Sequence, residues 1–402
     1  CANGVVAGHD GWLYLALGDR GCDVQRMEGD RLLFQQGGIL RCRSDGSDLH
    51  VFSTGLRNIY DVMLDDELNV FVRDNEYDGG DYMIRVCHCF FGSDHGYPYH
   101  YYERPDELMP PLADLGRGSS AGAIRYLETA FPADYRSSLF CCEWGRGIVR
   151  YHQSRNSSSF TPMTETDFAT GAPDDPHGFK PTDLIVDYDG SILVSDWCDG
   201  QHPKRGRGRI YRFSYQNGPP GAAKTLSHPT DADTATQMTQ LNATSYHQRV
   251  AAQLELQRGG AAAVEQVMHA LKAGQLGVHA RMHTIWIITR TVHHDVPDVL
   301  FTIATSDPDP RVRVQAIRAI ADLTDPVLVN NRIRCARGDA KIVTRIAAIA
   351  EHADPRVVLE ALILMRRMRW LQSPQWIAAH LSAEDPALNH AAQQAVRSAA
   401  NW

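Results

Sequence analysis

Long apolar runs are missing: no stretch approaches the roughly 18 consecutive apolar residues that a membrane-crossing helix needs. Cys-x-x-Cys pairs are missing too, and with them any Cys-x-x-Cys-His haem-attachment site, so the nine cysteines leave the redox compartment open. Positive charge is scarce in the first half. Up to residue 213 there are 21 Lys+Arg against 32 Asp+Glu, and beyond it 19 against 16. An acidic domain has no basic face to neutralise phosphates, which argues against a nucleic-acid partner. No charged leader and apolar stretch open the chain; Cys1 runs straight into strand-like residues, so it reads as a fragment. What is present is ample for a core: 402 residues, 43% hydrophobic and 22% charged, which excludes disorder and fibrous designs and predicts two or three domains.

The first 213 residues repeat one phrase: an Asp/Gly turn, an alternating apolar strand, then a polar corner. Clear copies are Asp10-Gly11-Trp12-Leu13-Tyr14-Leu15 to Gly18-Asp19, Asp65-Asp66-Glu67-Leu68-Asn69-Val70-Phe71-Val72 to Asp74-Asn75, and Asp189-Gly190-Ser191-Ile192-Leu193-Val194 to Asp196-Trp197; Ser138 to Trp144 is weaker. Anchored on Leu13, Val70, Leu139 and Leu193, the steps are 57, 69 and 54 residues. A repeat near that length, with a hairpin at residues 38–52, predicts propeller blades. The expected fold is a β-propeller, incomplete at about four blades of an expected six, with the others expected before Cys1. Residues 214–240, centred on Gly218-Pro219-Pro220-Gly221, read as a linker. Residues 241–402 read as an all-α solenoid of HEAT type. Asp309-Pro310-Arg311-Val312 and Asp354-Pro355-Arg356-Val357 start helices 45 residues apart, with Asp at the N-cap and Pro at the first helical position.

Candidate chemistry lies at the corners. Arg57 in Gly55-Leu56-Arg57-Asn58 points either into the funnel, as a bidentate clamp for an anion, or at backbone carbonyls that hold the blades. Asp74-Asn75-Glu76-Tyr77-Asp78-Gly79-Gly80-Asp81 offers hard oxygen ligands for Ca²⁺ without the EF-hand spacing, or is a solvated acidic turn. Lys180, with Asp183 nearby, enters the last blade as a funnel cation or a surface charge. In Cys87-His88-Cys89 a strand puts both thiols on one face and His88 on the other, which one metal cannot easily collect. Single histidines such as His9, His50 and His95 read as structural. The helical half shows no catalytic constellation; its kind of surface serves partner binding.

Taken as an ordered set, these phrases resemble the quinoprotein glucose and sorbosone dehydrogenase family, in its planctomycete and verrucomicrobial membrane-bound dehydrogenase form with HEAT repeats. The set is Gly11-Trp12-Leu13-Tyr14 to Gly18-Asp19, Gly37-Gly38-Ile39-Leu40-Arg41, Gly55-Leu56-Arg57-Asn58, Asp74-Asn75 with Asp78-Gly79-Gly80, Gly96-Tyr97-Pro98, Lys180-Pro181-Thr182-Asp183 and Ser195-Asp196-Trp197. The resemblance implies a six-bladed propeller that binds pyrroloquinoline quinone (PQQ) and Ca²⁺ and oxidises a sugar or alcohol hydroxyl, the hard redox step belonging to the cofactor. It places Arg57, Asn58, Lys180 and Arg146 at the quinone, and Asp74, Asn75, Asp78 and Asp81 near the cation. It also implies export, which would let propeller cysteines pair, and a haem electron acceptor outside this chain; the solenoid surface itself would take a protein partner. The sequence departs from the family where its histidine base would stand, at Cys1, at Gly145 in place of a quinone-binding lysine, and at Thr182 in place of an arginine. A thiol is a poorer general base than imidazole here. The alternative is a non-catalytic carbohydrate- or protein-binding scaffold.

Overall fold

One hairpin turn recurs through the first half, and its chemistry explains the repeat. In Gly8–Trp12, Asp65–Asn69 and Asp187–Ser191 the first amide donates to the last carbonyl, at 2.8, 3.1 and 2.8 Å. An aspartate carboxylate accepts an amide two residues on: Asp10 from Trp12 at 3.2 Å, Asp65 from Glu67 at 2.9 Å, Asp189 from Ser191 at 2.9 Å. The residue one or two positions before the returning strand is left-handed: Gly11 (φ +81°), Leu68 (φ +57°) and Gly190 (φ +78°). Leu68 adopts that conformation against its Cβ, at about 1–2 kcal/mol. Its side chain is buried under the helical region, and burying a leucine contributes about 1.5–3 kcal/mol.

The computed structural model describes residues 2–77, 83–98, 100, 103–198, 208–216, 233–290, 296–325, 337–351, 353–369, 373–381 and 384–400. Cys1, Asp78 and Asp81 lie outside the described residues. The first sheet runs β1 (Ala2–Ala7), β2 (Trp12–Leu17), β5 (Gly37–Arg43), β6 (His50–Leu56), with the hairpin β3 (Cys22–Gln25) and β4 (Arg31–Phe34) inserted. The second is β7 (Met63–Leu64), β8 (Val70–Arg73), β9 (Arg85–Cys89), β10 (Ala113–Asp114). The third is β11 (Ser120–Arg125), β12 (Leu139–Glu143), β13 (Gly147–Tyr151), β16 (Glu165–Thr170), with the hairpin β14 (Arg155–Asn156) and β15 (Ser159–Phe160). The fourth is β17 (Pro181–Val186), β18 (Ile192–Asp196), β19 (Arg209–Phe213). All four are antiparallel meanders. First strands of successive sheets lie side by side: Gly4 N donates to Tyr60 O at 2.7 Å, and Ala123 N to Asp61 Oδ2 at 3.0 Å. This is a four-blade propeller-like arc. On β9, Cys87 and Cys89 pack into one inter-blade core and His88 reaches Ser159 Oγ on the other side, 2.9 Å away. No disulfide joins the described cysteines, all of which but Cys22 are buried.

Ten helices follow among the described residues: α1 (Thr234–Gln240), α2 (Tyr246–Arg258), α3 (Gly260–Lys272), α4 (Val278–Thr289), α5 (Val296–Ser306), α6 (Pro310–Thr324), α7 (Ala340–Ala350), α8 (Pro355–Met368), α9 (Ser373–Ala378) and α10 (Pro386–Ala400). Helical structure thus begins at Thr234, inside the stretch expected to be linker, because Asp233 caps α1 through Thr236 N. The Asp-Pro-Arg starts behave as their chemistry requires: Asp309 and Asp354 accept the Arg311 and Arg356 amides at 2.9 and 3.0 Å.

Even-numbered helices supply the layer that meets the propeller, mostly at the turns between first and second strands or between third and fourth. From α2, Gln253 donates to His9 O at 2.8 Å. From α6, Arg318 donates to Glu67 O at 2.9 Å and Leu68 O at 3.1 Å. Asp385, capping α10, accepts Ser158 N at 2.8 Å. At the centre, Asp322 of α6 accepts from the Trp12 indole at 2.8 Å and pairs with Arg41 at 2.8 Å and Arg367 of α8 at 2.8 Å. Burial alone would raise the Asp322 carboxyl, but the two guanidinium groups outweigh it and hold it far below the usual carboxylate range. Replacing Asp322 by Ala leaves two buried arginines without this anion and is expected to cost about 3–5 kcal/mol. The check is urea denaturation of the full chain, with strand and helix signals falling together at the lowered midpoint.

Candidate functional site

The opposite face, which none of the described α-helices covers, gathers the polar corners. Buried Asp74, just after β8, organises it. Its Oδ1 accepts the amides of Arg57 (3.0 Å), Asn58 (3.2 Å) and Asn75 (2.9 Å), and Oδ2 receives Arg85 at 3.2 Å. Burial raises its pKa, opposed by Arg85 and these amides. Arg85 also ties in His95 O at 2.8 Å and Gly55 O at 3.3 Å. The Gly55-Leu56-Arg57-Asn58 turn is therefore shaped by Asp74, so that the Arg57 side chain leaves it toward the rim.

There the Arg57 Nε lies 3.6 Å from Asp19 Oδ2, with the two side chains 16% and 31% exposed. Tyr97 OH donates to the same Asp19 oxygen at 3.2 Å and also bonds Arg57. Asn58 Oδ1 accepts Asn3 Nδ2 at 3.2 Å. One blade on, Asn75 Oδ1 accepts the amides of Glu76 (3.0 Å) and Ser120 (3.3 Å). Glu143, paired with Arg73 at 2.7 Å, accepts Ser119 N at 2.6 Å. The rim ends in an aromatic platform: Lys180 Nζ sits 4.5 Å over Trp144, whose ring centre is 6.2 Å from that of half-exposed Trp197. Arg57 and Asn58 therefore come together, while Lys180 stands with the tryptophans on the same rim. Arg146 turns outward to Glu165 and, at 2.7 Å, Asp167.

Two groups implied by the resemblance can be tested against these residues. For Ca²⁺ the described residues do not fit. Both Asp74 oxygens and the Asn75 oxygen are committed to amides and Arg85, and among the described residues no group of three His, Cys, Asp or Glu could hold a metal. For a planar anionic quinone, Arg57, the Tyr97 hydroxyl and the Lys180–Trp144 pair supply suitable cation, donor and ring surface. Sequence reasoning passed over Asp19, Tyr97, Trp144 and Trp197 as site residues. Three of them lie within phrases quoted for the resemblance, but nothing along the chain shows that Gly96-Tyr97 folds back onto Gly18-Asp19.

A second cluster lies on the axis and was also missed. Asp61 and Asp183 face each other and share a hydrogen bond. Space for them is cleared by glycines: a Cβ on Gly4 would overlap Asp61 Oδ1, and one on Gly122 would overlap Asp183 Oδ1. Burial first, then the Asp183 charge, raises Asp61 from 3.8 to about 6; burial raises Asp183 as well. A carboxyl that keeps its proton longer when folded stabilises the fold at low pH and loses that contribution as pH rises through about 6. Between pH 4 and 6.5, wild type should therefore lose stability relative to Asp61→Asn. Thermal denaturation of both across that range checks this; parallel curves would contradict it.

A sequence family described as a domain of unknown function (DUF7133) matches residues 1–217. No curated protein matches. Among solved structures the chain is similar to a protein of Thermus thermophilus assigned as an oxidoreductase of glucose dehydrogenase type, at 19% identity and TM-score 0.41, covering 52% of this chain and 65% of that one. It is also similar to a PQQ-bound aldose sugar dehydrogenase from Streptomyces coelicolor, at 18% identity and TM-score 0.38, covering 53% and 62%. The chain spans less than two thirds of the length of either structure.

Proposed function

This chain belongs to the DUF7133 family, and from that premise we propose that its propeller is a quinoprotein-type oxidoreductase domain acting on a sugar or alcohol at the uncovered rim. The observation that carries the proposal is the convergence of Asp19, Arg57 and Tyr97, with Asn58 beside them, on a rim that continues to Lys180 and its tryptophans. PQQ, when bound, supplies the acceptor for the hydride of the hydroxyl carbon. Arg57 would grip an anionic edge of the cofactor through its planar fork, and Lys180 would offer a point charge over the Trp144 ring. Asp19, held by Arg57 and Tyr97, is placed to take the substrate's hydroxyl proton. Placement outside the cytoplasm, a haem acceptor on another chain and a HEAT-type helical region belong to the same proposal.

A second reading, carbohydrate binding without chemistry, is favoured by the Trp144–Trp197 pair alone, since the exposed Trp197 ring suits the apolar face of a sugar. Titrating the full chain with PQQ, with and without Ca²⁺, and following dye reduction with aldoses and alcohols separates the two. The oxidoreductase reading expects saturable PQQ binding that weakens about tenfold or more, some 1.4 kcal/mol, in Arg57→Lys. No binding and no turnover would sink it. Glycan binding without PQQ that disappears in Trp197→Ala would establish the second reading.

A further inference from the structure

We propose that the Asp61–Asp183 pair is a proton-operated clamp joining the Arg57 corner of the rim to the Lys180 corner, closed while one proton is shared and spread when both carboxyls are ionised. The clamp regulates the same rim as the oxidoreductase reading. Its control of the ligand rests on that reading; the movement of the corners does not.

The chain sets each carboxyl just beyond a rim cation. Asp61 follows Arg57 by four residues, on a segment clipped to β1: Gly4 N donates to Tyr60 O at 2.7 Å and Asn3 Nδ2 to Ile59 O at 2.7 Å. Asp183 follows Lys180 by three residues. The Lys180 end is tied to Trp197, since Lys180 N donates to Asp196 Oδ1 at 2.7 Å and Lys180 O accepts Trp197 N at 2.9 Å. The strands are built for the two carboxyls to meet. β1, β11 and β17 each lose register here, between Ala2 and Val5, Ser120 and Ala123, and Pro181 and Asp183, and such bulges re-aim side chains. At the β11 bulge Ala123 N donates to Asp61 Oδ2 at 3.0 Å. The adjacent Gly122 makes room for Asp183, whose Cα lies 2.6 Å from where a Cβ on that glycine would stand. Leu184 N holds Asp183 Oδ1 at 2.8 Å. From β12 the Cys141 and Cys142 thiols face the pair and are kept neutral by burial. Arg73 of β8, which those thiols also feel, is committed to Glu143 at 2.7 Å.

Two carboxyl groups share a hydrogen bond only while one of them holds a proton. Asp61 is half-buried and Asp183 exposed, so protons reach the pair, and Asp61 keeps its proton up to about 6. Above that the carboxylates repel each other and add negative charge near both cations. An anionic ligand bridging Arg57 and Lys180 therefore binds the protonated clamp more tightly, and by reciprocity its binding draws a proton onto the pair.

Fluorine NMR of the full chain labelled with 5-fluorotryptophan reads the clamp without any ligand. Trp144 and Trp197 stand beside Lys180, and Trp144→Phe and Trp197→Phe assign their resonances. In wild type these are expected to shift as pH passes through about 6. In Asp61→Asn and Asp183→Asn they should stay fixed, because the amide donates to the remaining carboxylate at any pH in that range. PQQ affinity of wild type should fall about tenfold over the same interval, within the usual range of coupling between sites, while Asp61→Asn holds the tighter value throughout. Resonances that do not titrate in wild type, or that titrate alike in wild type and both variants, would overturn the clamp. So would a PQQ affinity that falls equally in Asp61→Asn. Shifts that depend on Asp61 without any PQQ binding would keep the clamp and remove the oxidoreductase reading.

Discussion

The Asp322 carboxylate is gripped by Arg41 and the Trp12 indole from the first blade and by Arg367 from the neighbouring helix, and this pairing sets how the helices lie on the propeller. Buried ions are costly to desolvate, so the network adds less net stability than its short distances suggest. What it imposes is geometry. A greasy interface would tolerate sliding by a turn; a carboxylate that must meet two forks and an indole N–H tolerates one placement. The same logic extends along the layer, where Gln253, Gln315 and Arg318 read backbone carbonyls of particular turns at 2.6–2.9 Å. One face of the helical region is thus given, through its even-numbered helices, to the propeller of the same chain.

That docking reaches the rim through one segment. Residues 92–97 run beside β6, with Gly92 N bonded to Phe52 O at 2.6 Å, His95 N to Thr54 O at 3.0 Å and Tyr97 N to Gly55 O at 2.9 Å. Its lower end is fixed by α10. His390 Nε2 accepts the Asp94 amide at 3.0 Å, and its Nδ1 meets Glu107 O at 2.9 Å. Its upper end delivers the Tyr97 hydroxyl to Asp19. The last helix therefore holds, at a distance, one of the groups that define the rim cluster, and the propeller corners are not independent of the helical region.

Much of this architecture is written locally. The Asp-Gly turns, the alternating strands and the Asp-Pro-Arg helix starts each carry their own hydrogen-bond logic, so their positions follow from the chain alone. The rim was partly legible for the same reason, because Arg57 and Lys180 sit at corners of the repeat. What was illegible is what only tertiary folding supplies. Asp74 looked like a cation ligand because its neighbours are acidic, yet Arg85 and three amides claim it. Arg146 looked like a cofactor contact because of the residues beside it, yet β16 presents Glu165 and Asp167 to it. The Asp61–Asp183 pair could have been suspected from Gly4 and Gly122, small residues set at one-blade spacing from the two carboxylates, had blade registers been aligned at the inner strands.

The two faces also differ in how they meet pH, for a reason rooted in burial. On the helix-covered side His9, His50 and His390 are pushed down to about 4, 3 and 4, chiefly by desolvation, so they stay neutral and hold their hydrogen bonds through the physiological range. Asp322 is driven the other way by its arginines and stays charged. Neither of these two populations changes state near neutrality. On the axis, like charges confront each other and glycines admit them, which brings Asp61 into the range where protons are exchanged. Mild acid should therefore relieve the repulsion between the Asp61 and Asp183 carboxylates, which join the second and fourth blades.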